Sequence, residues 1–127
     1  MSGPKILVVD DSVEIREVAV LSLKGAFPCK ITEASNGKIA LEMLQKETFD
    51  LLVLDKQMPE VDGIQVLQLL RNAGNKIPTI VMTVVDNERT RDKINDLDAL
   101  YLEKPFDADM LVGRAMNALK RSGFTLK

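Results

Sequence analysis

The sequence predicts an α/β fold: a doubly wound, five-stranded parallel sheet in the order 2-1-3-4-5, with five helices. Two observations carry this. Five short apolar runs alternate with longer segments whose apolar residues recur at helical spacing. The runs Ile6-Leu7-Val8-Val9 and Leu51-Leu52-Val53-Leu54 show no polar alternation, as expected of strands covered on both faces. Right-handed crossovers favour this winding and put the ligand crevice at the carboxyl ends of the strands, beside the switch between strands 1 and 3.

The first strand is read over residues 5–9, and Ser12 has the chemistry to cap a helix running to about residue 24. Ile15, Val18, Ala19 and Leu23 form its apolar stripe, and Lys24-Gly25 supplies a stop. Residues 29–34 make a weaker strand whose alternation suggests an edge position. Asn36-Gly37 opens a helix with Ala40, Met43 and Leu44 on one face. The third strand covers 50–54. After the Met58-Pro59 loop, Gly63, Val66, Leu67 and Leu70 follow at i, i+3, i+4 and i+7, and Gly74 ends that helix. The fourth strand runs from Pro78 to Met82 and leads to Thr83. A polar helix at 87–95, a strand at 99–102 and a helix from about Asp107 carrying Leu111, Val112, Ala115 and Leu119 complete the chain.

Length and composition narrow the classes. The 127 residues fit one domain, with a core over about 5–121. Lys and Arg number 17 against 19 Asp and Glu, a near-neutral balance that gives no support for direct nucleic-acid binding. The longest apolar runs are strand-sized, so no membrane span is expected. Met1-Ser2-Gly3-Pro4 lacks a basic region followed by a long apolar stretch, which makes a cytoplasmic location the expectation. Cys29 is the only cysteine and is expected as a small buried hydrophobe. There is no histidine, so no Ser-His or Cys-His dyad and no phosphohistidine can form on this chain.

The chemistry gathers at the predicted strand ends. Strand 1 runs into Asp10-Asp11, strand 3 into Asp55, strand 4 into Thr83, and strand 5 into Glu103-Lys104-Pro105. Three close carboxylates repel one another unless a cation intervenes. Mg²⁺, a hard ion that takes one or two carboxylates together with phosphate oxygens, suits them, whereas no loop has the spacing of a calcium-binding EF-hand. Asp55 is the expected nucleophile, forming a mixed anhydride with a phosphoryl group, with Lys104 neutralising charge beside it. Thr83 offers a hydroxyl to a phosphoryl oxygen. Its movement would vacate volume for the ring of Tyr101, the only tyrosine, on the neighbouring strand. Pro105 raises the question of a cis peptide after Lys104.

Taken together these residues resemble the receiver domain of two-component response regulators, the family of the single-domain chemotaxis regulator. The resemblance runs from Lys5 to about Arg121. It rests on Val8-Val9-Asp10-Asp11-Ser12, on Leu54-Asp55-Lys56-Gln57-Met58-Pro59 with Gly63, on Thr83, and on Tyr101-Leu102-Glu103-Lys104-Pro105-Phe106. It implies that Asp55 accepts the phosphoryl group, that Asp11 binds Mg²⁺ directly and Asp10 through water, and that the backbone carbonyl of Gln57 completes the metal shell. It also implies that Thr83 and Tyr101 form a switch pair and that Lys104 pairs with the phosphate. The donor implied is a sensor histidine kinase, a phosphotransfer protein or a small phosphodonor, and the recipient of the signal a downstream effector protein or output domain. Such a chain is no enzyme beyond its own phosphorylation and dephosphorylation. It is expected as a monomer or a weak phosphorylation-dependent dimer through the face of helix 4, strand 5 and helix 5. Arg89, Arg91, Asp92 and Lys93 read better as a solvated helix face than as a dimer contact.

Three departures from the family pattern stand out. Val84 replaces the usual small residue after the switch threonine, and its branched side chain is expected to narrow access. Leu97-Asp98 replaces a Gly-Ala pair before strand 5. Gln57 and Val85 flank the acyl phosphate and are expected to tune its lifetime. Two rivals follow. A degenerate receiver acting by constitutive contact is disfavoured by intact Asp10, Asp11, Asp55 and Lys104. A phosphohydrolase of the haloacid dehalogenase type wants a second aspartate at position 57, where this chain has glutamine.

Overall fold

The computed structural model describes residues 3–84 and 87–125. Five strands, β1 (Lys5–Val9), β2 (Lys30–Ala34), β3 (Leu51–Asp55), β4 (Thr79–Thr83) and β5 (Leu100–Glu103), alternate with five helices. These are α1 (Val13–Ala26), α2 (Gly37–Lys46), α3 (Gly63–Asn72), α4 (Glu88–Asp96) and α5 (Ala108–Arg121). All strand pairs are parallel and the order is β2-β1-β3-β4-β5, as the sequence predicts. β2 lies at one edge, in keeping with its weak alternation, and β5 at the other. Several bounds fall one residue later than expected, so that Asp55 and Thr83 close their strands rather than follow them.

Two cores cover the sheet. On one face Leu7, Val9, Leu52, Leu54 and Val81 pack with Ala40, Leu67, Leu70 and Ile94. On the other, Ile6, Val8, Leu51, Val53, Ile80 and Met82 meet Ala19, Leu23, Leu111, Ala115 and Leu119. Every residue of β3 and β4 is buried, which explains why these runs show no alternation.

Two expectations for α1 need correction. The helix does not stop at Lys24-Gly25 but continues to Ala26. Its end is set by Phe27, which turns extended, buries its ring in the second core and donates its N–H to Leu23 O, just before Pro28. Val18 is not on the buried stripe. Ala19 and Leu23 face the sheet, and Val18, one residue round the helix, is 45% exposed. Cys29 likewise is only half-buried, packed at the margin of the second core, where burial pushes its thiol pKa up.

The other helix ends follow local chemistry. Ser12, Asn36, Asp62, Asn87 and Asp107 each accept a hydrogen bond at their N-cap, and Asp62 forms a reciprocal capping box with Gln65. Gly74, at φ 81°, ends α3 with Asn75 N–H on Leu70 O and its own N–H on Arg71 O, the double bond of a Schellman motif. α4 ends in the same pattern: Ala99 N–H reaches Ile94 O and Asp98 N–H reaches Asn95 O. Here the left-handed position, φ 55°, is held by Asp98 rather than glycine. The Leu97-Asp98 departure thus leaves the connection intact. Arg71 braces it, donating from Nε to Leu97 O at 2.8 Å and from Nη2 to Asp98 O at 3.3 Å.

Candidate functional site

The parallel sheet delivers the ends of β1, β3, β4 and β5 to one edge. Asp10 continues β1 by donating its N–H to Ala34 O, and Lys56 continues β3 by donating to Met82 O. Lys104 N–H donates to Thr83 O at 2.8 Å, which fixes the turn after β5 against β4, and the Lys104–Pro105 peptide is cis.

Alternation along the strands then sorts the side chains. Asp10 follows Val9 and falls on the side of Val8, Asp55 on the side of Val53, and Lys104 on the side of Leu102, all facing the second core. The three meet. Lys104 Nζ donates to Asp10 Oδ2 at 2.9 Å and to Asp55 Oδ1 at 3.0 Å. Asp10 and Asp55 are buried, and the Lys104 side chain is only 14% exposed. The other oxygen of Asp10 accepts the Ser12 N–H at 2.9 Å, and Asp55 Oδ1 also receives the Gln57 N–H at 3.4 Å. Asp11 is exposed beside them, and one carboxylate oxygen from each of Asp10, Asp11 and Asp55 lies within 4.8 Å of the others.

The electrostatics of this arrangement are unbalanced. Three carboxylates face one ammonium. Burial raises the Asp55 pKa above the usual carboxylate value. The hydrogen bond from Lys104 works against that rise, and the neighbouring Asp10 charge adds to it. Lys104 itself is held above the ordinary lysine value: burial would lower it, but Asp10 and Asp55 outweigh that. A set of hard oxygen donors with excess negative charge fits a divalent cation such as Mg²⁺.

Thr83 closes β4, fully buried. It stands opposite Glu103, while Tyr101 stands opposite Val81, so Thr83 and Tyr101 share the α4-side face of the sheet two register positions apart. Tyr101 is half-buried against the first core, and the Arg91 guanidinium lies 5.2 Å from its ring centroid. Gln57 is exposed in the loop after β3. Val84 is 57% exposed at the rim, and Val85 lies outside the described residues.

Sequence reasoning passed over two contributors. Arg16, four residues beyond the Ser12 cap, donates from Nη1 to the backbone carbonyl of Asp10 at 2.6 Å and from Nε to Glu33 at 3.0 Å. An arginine one turn into a helix that follows an acid pair was the available signal. Gly63 reads in the sequence as the first position of the α3 stripe and as part of the resemblance, but its physical role is contact: a Cβ there would meet the Asp55 carbonyl.

Comparison with known proteins gives a consistent answer. The family model described as response regulator receiver domain matches residues 6–116. A probable transcriptional regulatory protein of Picosynechococcus is 36% identical over 94% of this chain and 51% of its own length. The response regulator MprA of Mycobacterium ulcerans is 37% identical over 93% of the chain and 51% of its own. The chain thus spans about half the length of these relatives. Among solved structures, the receiver domain of a Francisella response regulator superimposes with a TM-score of 0.88 at 30% identity, covering 94% of this chain and 99% of that one. A chemotaxis response regulator of Vibrio cholerae gives 0.84 at 27% identity, with 92% and 99% covered. Among the described residues no helix is long and apolar enough to cross a membrane. With its acidic cluster suited to a divalent cation at the predicted sheet edge, the chain belongs to the response regulator receiver family, whose chemistry is Mg²⁺-dependent switching by phosphorylation of its own aspartate.

Proposed function

We propose that Asp55 accepts the phosphoryl group, that Asp11, Asp10 and the Gln57 backbone carbonyl hold Mg²⁺, and that Lys104, Thr83 and Tyr101 respond to the new phosphate. The observation that carries this reading is the Lys104 ammonium bonded at once to Asp10 and Asp55, with Asp11 beside them. When bound, Mg²⁺ would neutralise charge on the transferring phosphoryl oxygens. The remaining work belongs to the side chains. Asp55, fixed at the end of a buried strand, presents one oxygen in line while Lys104 Nζ screens it from Asp10. Because the transition state is loose, holding the partners and balancing charge is most of the catalysis.

Phosphorylation adds about −1.5 to −2 charge at this rim. Lys104 then exchanges part of its carboxylate pairing for a phosphoryl oxygen, and the Thr83 hydroxyl is drawn toward the same group. Tyr101, on the same face, moves into the space vacated, which changes the surface of α4, β5 and α5. This is a shift between two packings. The donor is a phosphohistidine on a sensor kinase or phosphotransfer protein, or a small phosphodonor. The partner is an effector protein or output domain, and any dimer is weak and phosphorylation-dependent. Residues 1–127 form one receiver domain.

The test is backbone NMR of the chain with Mg²⁺ and beryllofluoride. Shifts over residues 83–104 are expected, and Asp55→Asn should abolish them. An intact response in that variant refutes the assignment of Asp55.

A further inference from the structure

We propose that Arg16 is a positioning residue for the cation site, fixing the peptide plane between Asp10 and Asp11 and so aiming the Asp11 carboxylate. This rests on the reading of the acidic cluster as a divalent-cation site. Asp11 is exposed, so packing does not hold its side chain, and its direction follows from its backbone. The peptide group joining Asp10 to Asp11 is rigid and planar, and whatever holds its carbonyl end holds the orientation of the next Cα.

Arg16 Nη1 is bonded to that carbonyl, Asp10 O, at 2.6 Å. The guanidinium cannot swing, because Nε is bonded to Glu33 Oε1 of β2 at 3.0 Å and the side chain is only 14% exposed. The fork thus ties the first turn of α1 to β2 through the loop that carries both acids. The carboxylate of Asp10 is held separately, by Ser12 N–H and Lys104, so the arginine acts on the backbone alone. Charge-assisted bonds of this kind are short and directional, and a planar fork is not replaced by a lysine point charge.

Positioning and simple Coulomb effects predict opposite signs. Arg16 is a cation beside a cation site, so its mere removal would tighten Mg²⁺ binding. Loss of a positioning contact behind a metal ligand weakens it, typically by 10–100-fold. The experiment is Mg²⁺ titration of the whole chain without phosphodonor, read by backbone amide shifts, for the wild type, Arg16→Gln and Arg16→Lys. The expected result is a dissociation constant raised on the order of tenfold in Arg16→Gln, with a smaller loss in the same direction in Arg16→Lys. Equal or tighter binding in Arg16→Gln overturns the proposal, whatever happens to thermal stability. Should that variant fail to fold, Arg16→Lys decides alone, since it keeps the charge and unchanged affinity overturns the proposal. A wild-type chain that binds no Mg²⁺ sinks the reading of the cluster, and the proposal with it, and is distinct from either variant result.

Discussion

A Cβ atom on Gly63 would stand 2.2 Å from the carbonyl oxygen of Asp55. The start of α3 is laid directly on the backbone of the acceptor residue, with the Gly63 N–H bonded to Lys56 O at 2.8 Å and the Asp62–Gln65 capping box holding the helix start in place. Both sides of this contact are backbone and neither can rotate away. Gly63→Ala is therefore expected to destabilise the fold by about 1–3 kcal/mol in urea unfolding and to slow labelling of Asp55 by a small phosphodonor. Gly113→Ala is the control. At Gly113, inside α5, a Cβ would meet nothing within 4 Å, so the substitution there should leave stability unchanged or raise it slightly.

Asp55 also sets a pH dependence. Burial and the Asp10 charge raise its folded pKa above the usual carboxylate value despite Lys104. Between the unfolded and folded values the native state binds more protons, so ionisation of Asp55 costs stability as pH rises through that window. Asp55→Asn removes the ionisation. In chelator-treated protein it should be more stable than the wild type at neutral pH, and the gap should close as pH falls toward the unfolded carboxylate value. Added Mg²⁺ should stabilise the wild type over its own metal-free form by about 2.7 kcal/mol at a hundredfold excess over its dissociation constant, working against that gap. Urea titrations at several pH values measure both, and a wild type more stable than Asp55→Asn without metal would contradict the argument.

Much of this site was legible because a parallel sheet makes sequence position into spatial position. Once Leu51–Leu54 and Ile6–Val9 were recognised as adjacent buried strands, Asp55 and Asp10 had to share an edge, and they do. Lys104 followed from the end of β5. The misses have a different origin. Val18 is apolar yet exposed, because a helix on one face of a sheet buries only a narrow stripe and periodicity does not say where the stripe ends. Arg16 and Arg71 act on carbonyl oxygens, which every residue carries, so nothing in the sequence marks their partners. The end of α1 depended on the burial of Phe27, a tertiary fact that outweighed Gly25.

Asp98 offers a test of the unusual end of α4. It holds φ 55°, a conformation that costs an L-residue about 1–2 kcal/mol. Its ion pair with Arg121, at 3.5 Å between largely exposed groups, returns little. Glycine relieves the strain but adds freedom to the unfolded chain. Asp98→Gly should accordingly raise stability by about 0.5–1 kcal/mol, visible as a higher Tm. Asp98→Val, β-branched at the same φ, should lower it.

Arg71 is the other half of that connection. Its guanidinium donates to Leu97 O, Asn75 O, Ile77 O and Asp98 O, joining the turn before β4 to the turn before β5. Burial lowers its pKa somewhat and the Asp98 charge opposes that, so the group stays cationic and its bonds are charge-assisted. Arg71→Met keeps most of the apolar stem but strands those carbonyls in a partly buried site. A loss of about 2–4 kcal/mol is expected in urea unfolding. Because the clamp anchors the opposite end of β5 from Lys104, Mg²⁺ affinity should be unchanged while amide exchange accelerates over residues 97–101. A loss below about 0.5 kcal/mol, the usual range of a surface change, would show that water replaces the arginine at these carbonyls. A matching fall in Mg²⁺ affinity would show instead that the two ends of β5 are mechanically coupled.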